Sequence, residues 1–296
     1  MDQLSDSHNS RDLTWLPKQL PQHVYVIVSA LEYDYNLVET LRADITCPAN
    51  FVQVLPLGKE LGRDLIRDWL SMRKRQLTQQ QWRVVERALS QCSLPLYTSL
   101  IFEEVCRWRS WSAMDITVLE NNVKGVINKL LDRTEKYHGK MFVSHVLSYI
   151  TASRHGLSDM EIEDVLSLDD SVLNDVFIHW LPPVRRIPPL LWPRLHNELR
   201  SYIIQRESHS TIVYYWYHRQ FKQVARDRYL QDTSHRIYIH ATLSHYFMGT
   251  WGGGQEKPFQ YSKPQKQLLG LDELWHKADR KVPKQPLHIG KLLRSD

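Results

Sequence analysis

The fold class of this chain follows from one segment, LLWPRLHNELRSYIIQRESHSTIVYYWYH, residues 190–218. In its first half, LLWPRLHNELRSYII, apolar residues recur at helical spacing, which predicts a helix. The polar segment RESHS follows and predicts a turn. TIVYYWYH then brings β-branched and aromatic residues together, a composition typical of strands. The stretch therefore predicts a helix that leads into a hairpin-like ribbon.

More helices are predicted on both sides of this stretch. FVSHVLSYITASRHG, residues 142–156, predicts a helix closed by its last glycine, and Ser158 with Glu161 forms a capping box that begins the next helix. DDSVLNDVFIH predicts a further short helix, and four prolines between residues 182 and 189 mark a loop. RQFKQVARDRYL and SHRIYIHATLSHYFMGTW, after the ribbon, are again helical. Three helices closed by a ribbon describe a winged helix.

The amino-terminal part has a different pattern. HVYVIVSA, residues 23–30, contains an apolar run from Val24 to Val28 that favours a strand covered on both faces. FVQVLPL, from Phe51, predicts a second and shorter strand. Beyond Pro56 the segments are amphipathic and predict a small helical bundle, which Leu94-Pro95-Leu96 interrupts.

These patterns divide the chain into four predicted regions. Residues 1–55 carry the strands, residues 56–135 form the bundle, and residues 136–248 contain the winged helix and the helices that follow it. Residues 249–296 are rich in lysine and proline and predict a linker. The fold class is therefore mixed α/β and mainly α.

Composition excludes several classes of protein. With 42% apolar residues, the 296-residue chain can fill real cores and is not disordered. The net charge of +5 is mild and spread along the chain, which disfavours a dedicated nucleic-acid binder. No run approaches the about 18 apolar residues of a membrane helix, and the amino terminus lacks the apolar core of a signal peptide. The three cysteines, Cys47, Cys92 and Cys106, are an odd number and lack metal-ligand spacing, which fits a reducing compartment. Together these features predict a soluble cytoplasmic protein without a membrane partner.

No spacing in the sequence singles out a catalytic or metal-binding set. His235, His240 and His245 recur every five residues, which scatters them around a helix, whereas metal ligands must converge on one point. No nucleophile with a base, pair of carboxylates or cysteine–histidine pair stands out. We therefore predict no catalytic residue and no metal ligand in this chain.

Four short segments carry a resemblance to a known family: Asp2-Gln3-Leu4, Ser29 at the end of VYVIVS, Leu94-Pro95-Leu96, and His218 in WYHRQF. With these segments the chain resembles the second half of a NACHT domain, the nucleotide switch of STAND-type ATPases, and most closely the proteins that join NACHT to WD repeats. The resemblance implies that Asp2 ends a Walker B segment and that Ser29 lies near the γ-phosphate. It also implies that Pro95 packs against adenine and that His218 holds the β-phosphate of ADP.

The resemblance implies the fold class in more detail. Residues 1–55 would be the carboxyl-terminal remnant of a P-loop NTPase sheet, followed by the family's helical and winged-helix domains, and residues 249–296 would lead toward a WD-repeat region. Pro95 also has a purely structural interpretation as a helix breaker, and His218 has one as a buried, hydrogen-bonded histidine.

The chain departs from the family pattern where triphosphate chemistry is performed. It contains no glycine-rich loop ending in Gly-Lys-Ser/Thr, whose amides and lysine hold phosphates. Gln3 stands where the family usually has a catalytic glutamate, and a glutamine cannot act as a general base. We therefore expect MDQLSD to be the end of a Walker B motif and Met1 to begin a shortened product, isoform or partial gene model. ATP or ADP and magnesium are expected only for a longer parent.

The function expected from this resemblance is a regulatory scaffold fragment of a nucleotide switch, with protein partners and possible self-association. One alternative is a nucleic-acid-binding winged helix with LLWPRLHNELRSYIIQR as its recognition helix. It is disfavoured because Glu198 and large apolar residues accompany Arg194 and Arg200. A second alternative, an active ATPase, fits a longer parent better than this chain.

Overall fold

Helices make up nearly all of the regular structure in the computed structural model, which describes residues 12–31, 36–113, 117–178, 186–208 and 211–250. The helices in these ranges are α1 (Leu37–Asp44), α2 (Lys59–Met72), α3 (Gln79–Gln91), α4 (Pro95–Val105), α5 (Val123–His138), α6 (Lys140–Ala152), α7 (Asp159–Leu168), α8 (Asp170–Val176), α9 (Leu191–Leu199), α10 (Arg219–Tyr229) and α11 (Thr233–Met248). Two strands, β1 (Ile203–Ser208) and β2 (Thr211–Trp216), pair in antiparallel fashion. The chain divides into two compact units, residues 1–56 and 57–296.

The first unit contains no strand among its described residues. Its small core joins Leu13 to Leu37 and Leu41 of α1. The segment predicted as the first strand is largely exposed, with Tyr25 86% and Ile27 98% accessible, and Val52 and Val54 of the second are exposed as well. A strand needs a neighbour to satisfy its backbone groups, and no described segment of this unit pairs with either one. The predicted sheet remnant is therefore not confirmed.

The helical bundle begins the second unit. Thr78 and Gln81 form a capping box at the start of α3: the Gln81 amide donates to Thr78 Oγ1 at 3.3 Å, and Gln81 Oε1 accepts the Thr78 amide at 3.0 Å. Pro95 is the first residue of α4 rather than a simple break, a position where its missing N–H costs nothing. The bundle interior is apolar, with Ile66, Val85 and Ile101 fully buried.

The winged-helix elements follow the predicted order. The capping box of Ser158 and Glu161 is confirmed, and the ribbon of β1 and β2 follows α9. Gly156 has φ +78°, and a Cβ there would lie 2.7 Å from the carbonyl oxygen of Tyr214. This close approach lets Leu157 accept a hydrogen bond from the Tyr214 amide at 2.9 Å, which attaches the ribbon to the turn before α7.

The helix predicted over LLWPRLHNELRSYII ends earlier than expected. α9 stops at Leu199, and Ile203 and Ile204 belong to β1, where they pair with Trp216 and Tyr215. The β-branched side chains favour the strand, and Ile203 is buried there against the core. The prediction of a single helix through residue 204 was therefore wrong.

Hydrogen bonds to one carboxylate attach α9 and the ribbon to α7. Asp159, in the first turn of α7, accepts from Trp192 Nε1 at 2.6 Å and from the hydroxyl of Tyr214 at 3.0 Å. Burial, followed by the hydrogen bond to Asp159, raises the pKa of Tyr214 to about 12. The phenol therefore stays a donor at neutral pH, and α9 and the ribbon keep their positions.

A single apolar core runs through the second unit, from Ile66 of α2 to Tyr246 of α11. α10 packs on α5 and α6, and α11 packs on α6 and α7. α5 runs across the boundary predicted at residue 135, and the division of residues 56–248 into two domains stays a prediction. Among the described residues, no helix combines the length and the apolar character that crossing a membrane requires.

Candidate functional site

His218 lies where the chain leaves the ribbon and enters α10. Its backbone is extended (φ −133°, ψ 143°), and its Nδ1 accepts the backbone N–H of Gln220 at 3.2 Å. The half-buried side chain therefore caps the helix, a role that sequence reasoning did not foresee. Because Nδ1 acts as the acceptor, the proton of the neutral ring is on Nε2, which is a hydrogen-bond donor.

Aromatic stacking holds the start of α10, the helix that His218 caps. The ring of Phe221, in the first turn of α10, stacks on Tyr202 with centroids 5.0 Å apart and on Trp216 with centroids 5.9 Å apart. Trp216 Nε1 donates to Thr151 Oγ1 of α6 at 2.9 Å. The start of α10 is thereby held against both the ribbon and α6.

The other end of α10 is bound to α5 by charge. Arg228 donates from Nε to Glu135 at 2.9 Å and from Nη2 to Asp132 at 2.5 Å, and the hydroxyl of Tyr229 donates to Glu135 at 2.6 Å. Burial and the neighbouring Glu135 carboxylate raise the pKa of Tyr229 well above its usual value. These bonds join α5 and α10 into one rigid pair of helices.

α5 also holds the helix that starts with Pro95. The hydroxyl of Tyr97 donates to the carbonyl of Glu120 just before α5, and Arg133 of α5 bonds Glu104 of α4 at 2.5 Å. Pro95 itself is exposed at the beginning of α4. Pro95 and His218 thus lie on two helices that both pack against α5.

A buried carboxylate joins α6 to the start of α8. Asp169 is fully buried; one of its oxygens lies 2.5 Å from His145 Nδ1 and 2.7 Å from the hydroxyl of Tyr149, and the other accepts the Ser171 amide at 3.0 Å. Burial disfavours the charged form, but the hydrogen bond and charge of His145 and the bonds of Tyr149 and Tyr238 hold the pKa of Asp169 below its usual value. Only the local capping role of this aspartate was readable from sequence, because its partners Tyr149 and His145 are 20 and 24 residues away.

The histidines of α11 do not converge. His235 Nε2 lies 3.4 Å from Oγ of the buried Ser148, and its ring centroid is 4.9 Å from that of His145. Burial and the neighbouring His145 lower the pKa of His235. His240 and His245 are exposed, and the part of the chain that the structure describes holds no group of three or more residues able to ligate a metal.

The other predicted nucleotide residues lie outside the second unit. Ser29 belongs to the first unit, where it is exposed in an irregular segment. Asp2 and residues 251–296, the larger part of the predicted linker, fall outside the described residues. The nucleotide contacts assigned to Asp2, Ser29, Pro95 and His218 therefore stay predictions.

The helix considered for nucleic-acid recognition separates its apolar and basic residues. Trp192, Leu195 and Leu199 of α9 are buried in the core. The exposed face presents Arg194 and Arg200, together with Pro193 and Asn197. Glu198, which accompanies the arginines in sequence, is half-buried, and its Oε2 lies 2.8 Å from His138 Nε2.

Comparisons with known proteins agree with this architecture. A family model described as "NWD1-like, winged helix-turn-helix domain" matches residues 111–236. NACHT and WD repeat domain-containing protein 2 of Homo sapiens is 35% identical over 302 residues, which cover 97% of this chain and 17% of that protein. NACHT domain- and WD repeat-containing protein 1 of Homo sapiens is 36% identical over 290 residues, which cover 97% of this chain and 18% of that protein.

A more distant similarity reaches beyond these relatives. A TPR repeat-containing protein of Dictyostelium discoideum is 22% identical over 268 residues, which cover 88% of this chain and 15% of that protein. No solved structure matches the chain significantly. The chain thus spans less than a fifth of the length of each of these relatives.

Proposed function

Because the chain belongs, over the segment that it spans, to the family of NACHT and WD repeat domain-containing proteins, we propose that it is the helical and winged-helix part of a nucleotide-dependent regulatory scaffold. In such a switch, a nucleotide contacts several domains at once. Its exchange or loss shifts the populations of the closed and open arrangements of these domains. Protein partners, self-association and a cytoplasmic location belong to the same proposal.

The position of His218 is the observation that carries this proposal. The hydrogen bond from the Gln220 amide to Nδ1 holds the imidazole ring in place. The Nε2–H of the same ring therefore has a fixed direction. A donor of this kind, at the amino end of a helix, suits a phosphate oxygen. Exposed Pro95, at the start of α4, offers a flat apolar surface that suits a purine ring.

α5 gives the proposal a physical route between the two contacts. Arg228 ties α10 to α5, and Arg133 ties α4 to it, both through charge-assisted bonds. A movement of α10 away from a nucleotide would therefore displace α5, and α5 would in turn displace α4. ATP hydrolysis is not proposed for this chain, because its sequence contains no Gly-Lys-Ser/Thr loop.

Two substitutions at His218 separate nucleotide contact from helix capping. The test uses a full-length protein that carries both this chain and a phosphate loop. His218→Asp keeps a capping side chain but repels phosphate, whereas His218→Ala removes both functions. We expect both variants to bind ADP about 10-fold or more weakly, since a charge-assisted bond contributes about 1.5 to 3 kcal/mol.

The melting temperature provides the control for this experiment. Only His218→Ala should lose stability, by about 1 kcal/mol, because Asp is a good N-cap. Unchanged ADP affinity in a folded His218→Asp protein would remove His218 from the nucleotide site and leave it as a cap.

A second candidate function has one observation in its favour. The exposed face of α9 carries Arg194 and Arg200 without a carboxylate, as a nucleic-acid contact requires. Two arginines supply few phosphate contacts, so this candidate ranks below the scaffold. Fluorescence anisotropy with duplex DNA tests it: salt-dependent binding that Arg194→Ala with Arg200→Ala abolishes would establish it.

A further inference from the structure

Two loops at one end of the bundle concentrate positive charge. The first, residues 72–77, reads MRKRQL and begins at the last residue of α2; the second, residues 106–112, reads CRWRSWS and follows α4. We call them together the basic loop pair. They contain five cationic residues, equal in number to the net charge of the whole chain, and no acidic residue.

Hydrogen bonds hold the two loops side by side. Arg75 Nη2 donates to the carbonyl oxygen of Trp108 at 2.5 Å, and Gln81 Nε2 donates to that of Arg109 at 2.8 Å. Burial, followed by the charge of Glu103, raises the pKa of the Cys106 thiol, and Arg73, Arg75 and Arg107 from both loops partly oppose this rise. The cations of both loops therefore form one patch.

The first loop keeps a lysine where the backbone favours glycine. The amide of Lys74 donates to Ser71 and that of Arg75 to Leu70, both at 2.9 Å, which is the Schellman pattern. Lys74 occupies the left-handed position of this motif with φ +53°. A side chain there is strained, and the sequence nevertheless places an exposed cation at this point.

Among the residues that the structure describes, one carboxylate forms an ion pair with the patch. Glu103 accepts from Arg73 at 2.9 Å. Arg107 and Arg109 are exposed, as is Lys74. Two apolar side chains flank the cations and face solvent: Trp111 is 79% and Met72 is 73% exposed.

The composition of the patch favours a protein partner over the other anionic partners. Arginine, tryptophan and methionine are the residues enriched in protein interfaces, and the arginine fork matches a carboxylate in geometry. Single-stranded nucleic acid is bound on several stacked aromatic side chains. Here Trp108 is only 3% exposed, which leaves Trp111 alone in the loop pair. A membrane-surface element presents a broad apolar face, whereas these loops expose only two apolar side chains, Trp111 and Met72.

We propose that the basic loop pair binds an acidic segment of a partner protein. Carboxylates of the segment pair with Arg107, Arg109 and Lys74, and an apolar residue between them packs on Trp111. The inference rests on the scaffold role proposed above, but not on nucleotide binding.

The test measures anisotropy of short fluorescent peptides with the full chain. A peptide of repeated Glu-Glu-Leu should bind with an affinity that falls with salt, and its Gln-Gln-Leu counterpart should not bind. Arg107→Ala with Arg109→Ala should weaken binding about 10-fold or more. Trp111→Ala should weaken binding of Glu-Glu-Leu but not of a Glu-Glu-Ser peptide.

Matched variants keep this proposal falsifiable. Arg194→Ala with Arg200→Ala removes the same charge from α9 and should leave the affinity unchanged. Lys74→Gly relieves backbone strain, so it should keep or raise the melting temperature while it weakens binding. This variant also decides the matter if the double arginine variant fails to fold.

Several results would overturn the proposal. They are absence of binding to the Glu-Glu-Leu peptide, an equal loss in the α9 variant, and an unchanged affinity in a folded Lys74→Gly protein. Tighter binding to a uridine oligonucleotide or to phosphatidylserine vesicles than to the peptide would do the same. The peptide experiment contains no ADP, so failure of the His218 experiment does not affect its outcome.

Discussion

At the scale of single residues, the winged-helix region depends on buried carboxylates that organise several elements each. Asp169 is both the cap of α8 and the partner of His145 and Tyr149. Asp164 accepts from Arg186 at 2.6 Å and from the hydroxyl of Tyr246 at 3.0 Å. A buried charge is tolerated only when its partners satisfy it, so these residues fix their neighbours.

Replacement of Asp169 tests this view. Asp169→Asn keeps the shape but removes the charge that faces His145, and the new amide group must find an acceptor. We expect the free energy of unfolding in urea to fall by about 3 kcal/mol. Asp170→Asn, the next residue and less buried, should cost less than about 1 kcal/mol. Similar losses in the two variants would contradict a special role for Asp169.

At the scale of elements, the capping box in the sequence was a reliable signal, whereas strand composition from Val24 to Val28 and helical spacing at Ile203 and Ile204 were not. The capping box of Ser158 and Glu161 lies within four residues, so its pattern could be predicted. The apolar run from Val24 to Val28 has strand composition, yet a strand also requires a neighbour, which composition does not supply. Ile203 and Ile204 joined the ribbon because their partners on β2 overrode the helical spacing.

Two glycines with the same φ of +78° test how the ribbon is attached. At Gly156 a new Cβ would meet the Tyr214 carbonyl oxygen at 2.7 Å and the Tyr215 ring at 2.8 Å, whereas at Gly58 nothing lies within 4 Å. Gly58→Ala should therefore cost only backbone strain, about 1 to 2 kcal/mol. Gly156→Ala should cost about 2 kcal/mol more, measured by thermal unfolding, because it also forces the ribbon away. Equal costs would show that the contact is unimportant.

At the scale of the whole molecule, the candidate site was the part that sequence predicted least. The family resemblance pointed to Pro95 and His218 but gave no account of what holds them. The bonds that do so, such as Arg228 with Glu135, join residues 93 positions apart in the sequence. Pairings of that kind depend on how helices pack, and helical periodicity gives only the face that is buried, not the partner.

Stability of the whole chain should fall on mild acidification. His196 and His235 are half-buried, and burial lowers the pKa of each ring. Their folded pKa values lie below the unfolded value of about 6.5, so the stability that they contribute is present above that pH and lost as the pH falls through the folded values. We expect the melting temperature to decrease between pH 7 and pH 5, values chosen to bracket about 6.5. His235→Gln should reduce this decrease, while the exposed His240→Gln should not.

The course of α5 limits where this chain can be cut for laboratory work. A truncation at residue 135 would sever the helix three residues before its end at His138 and remove Val126, Ile127 and Leu130 from the remaining half. Apolar side chains of α6 and α10 that pack on α5 would then face water, and such surfaces promote aggregation during expression. A recombinant piece that starts at Leu57 keeps α5 whole together with α4, which packs on it. We expect that piece to be recovered from the supernatant of a cell lysate and a piece starting at residue 136 to be recovered from inclusion bodies.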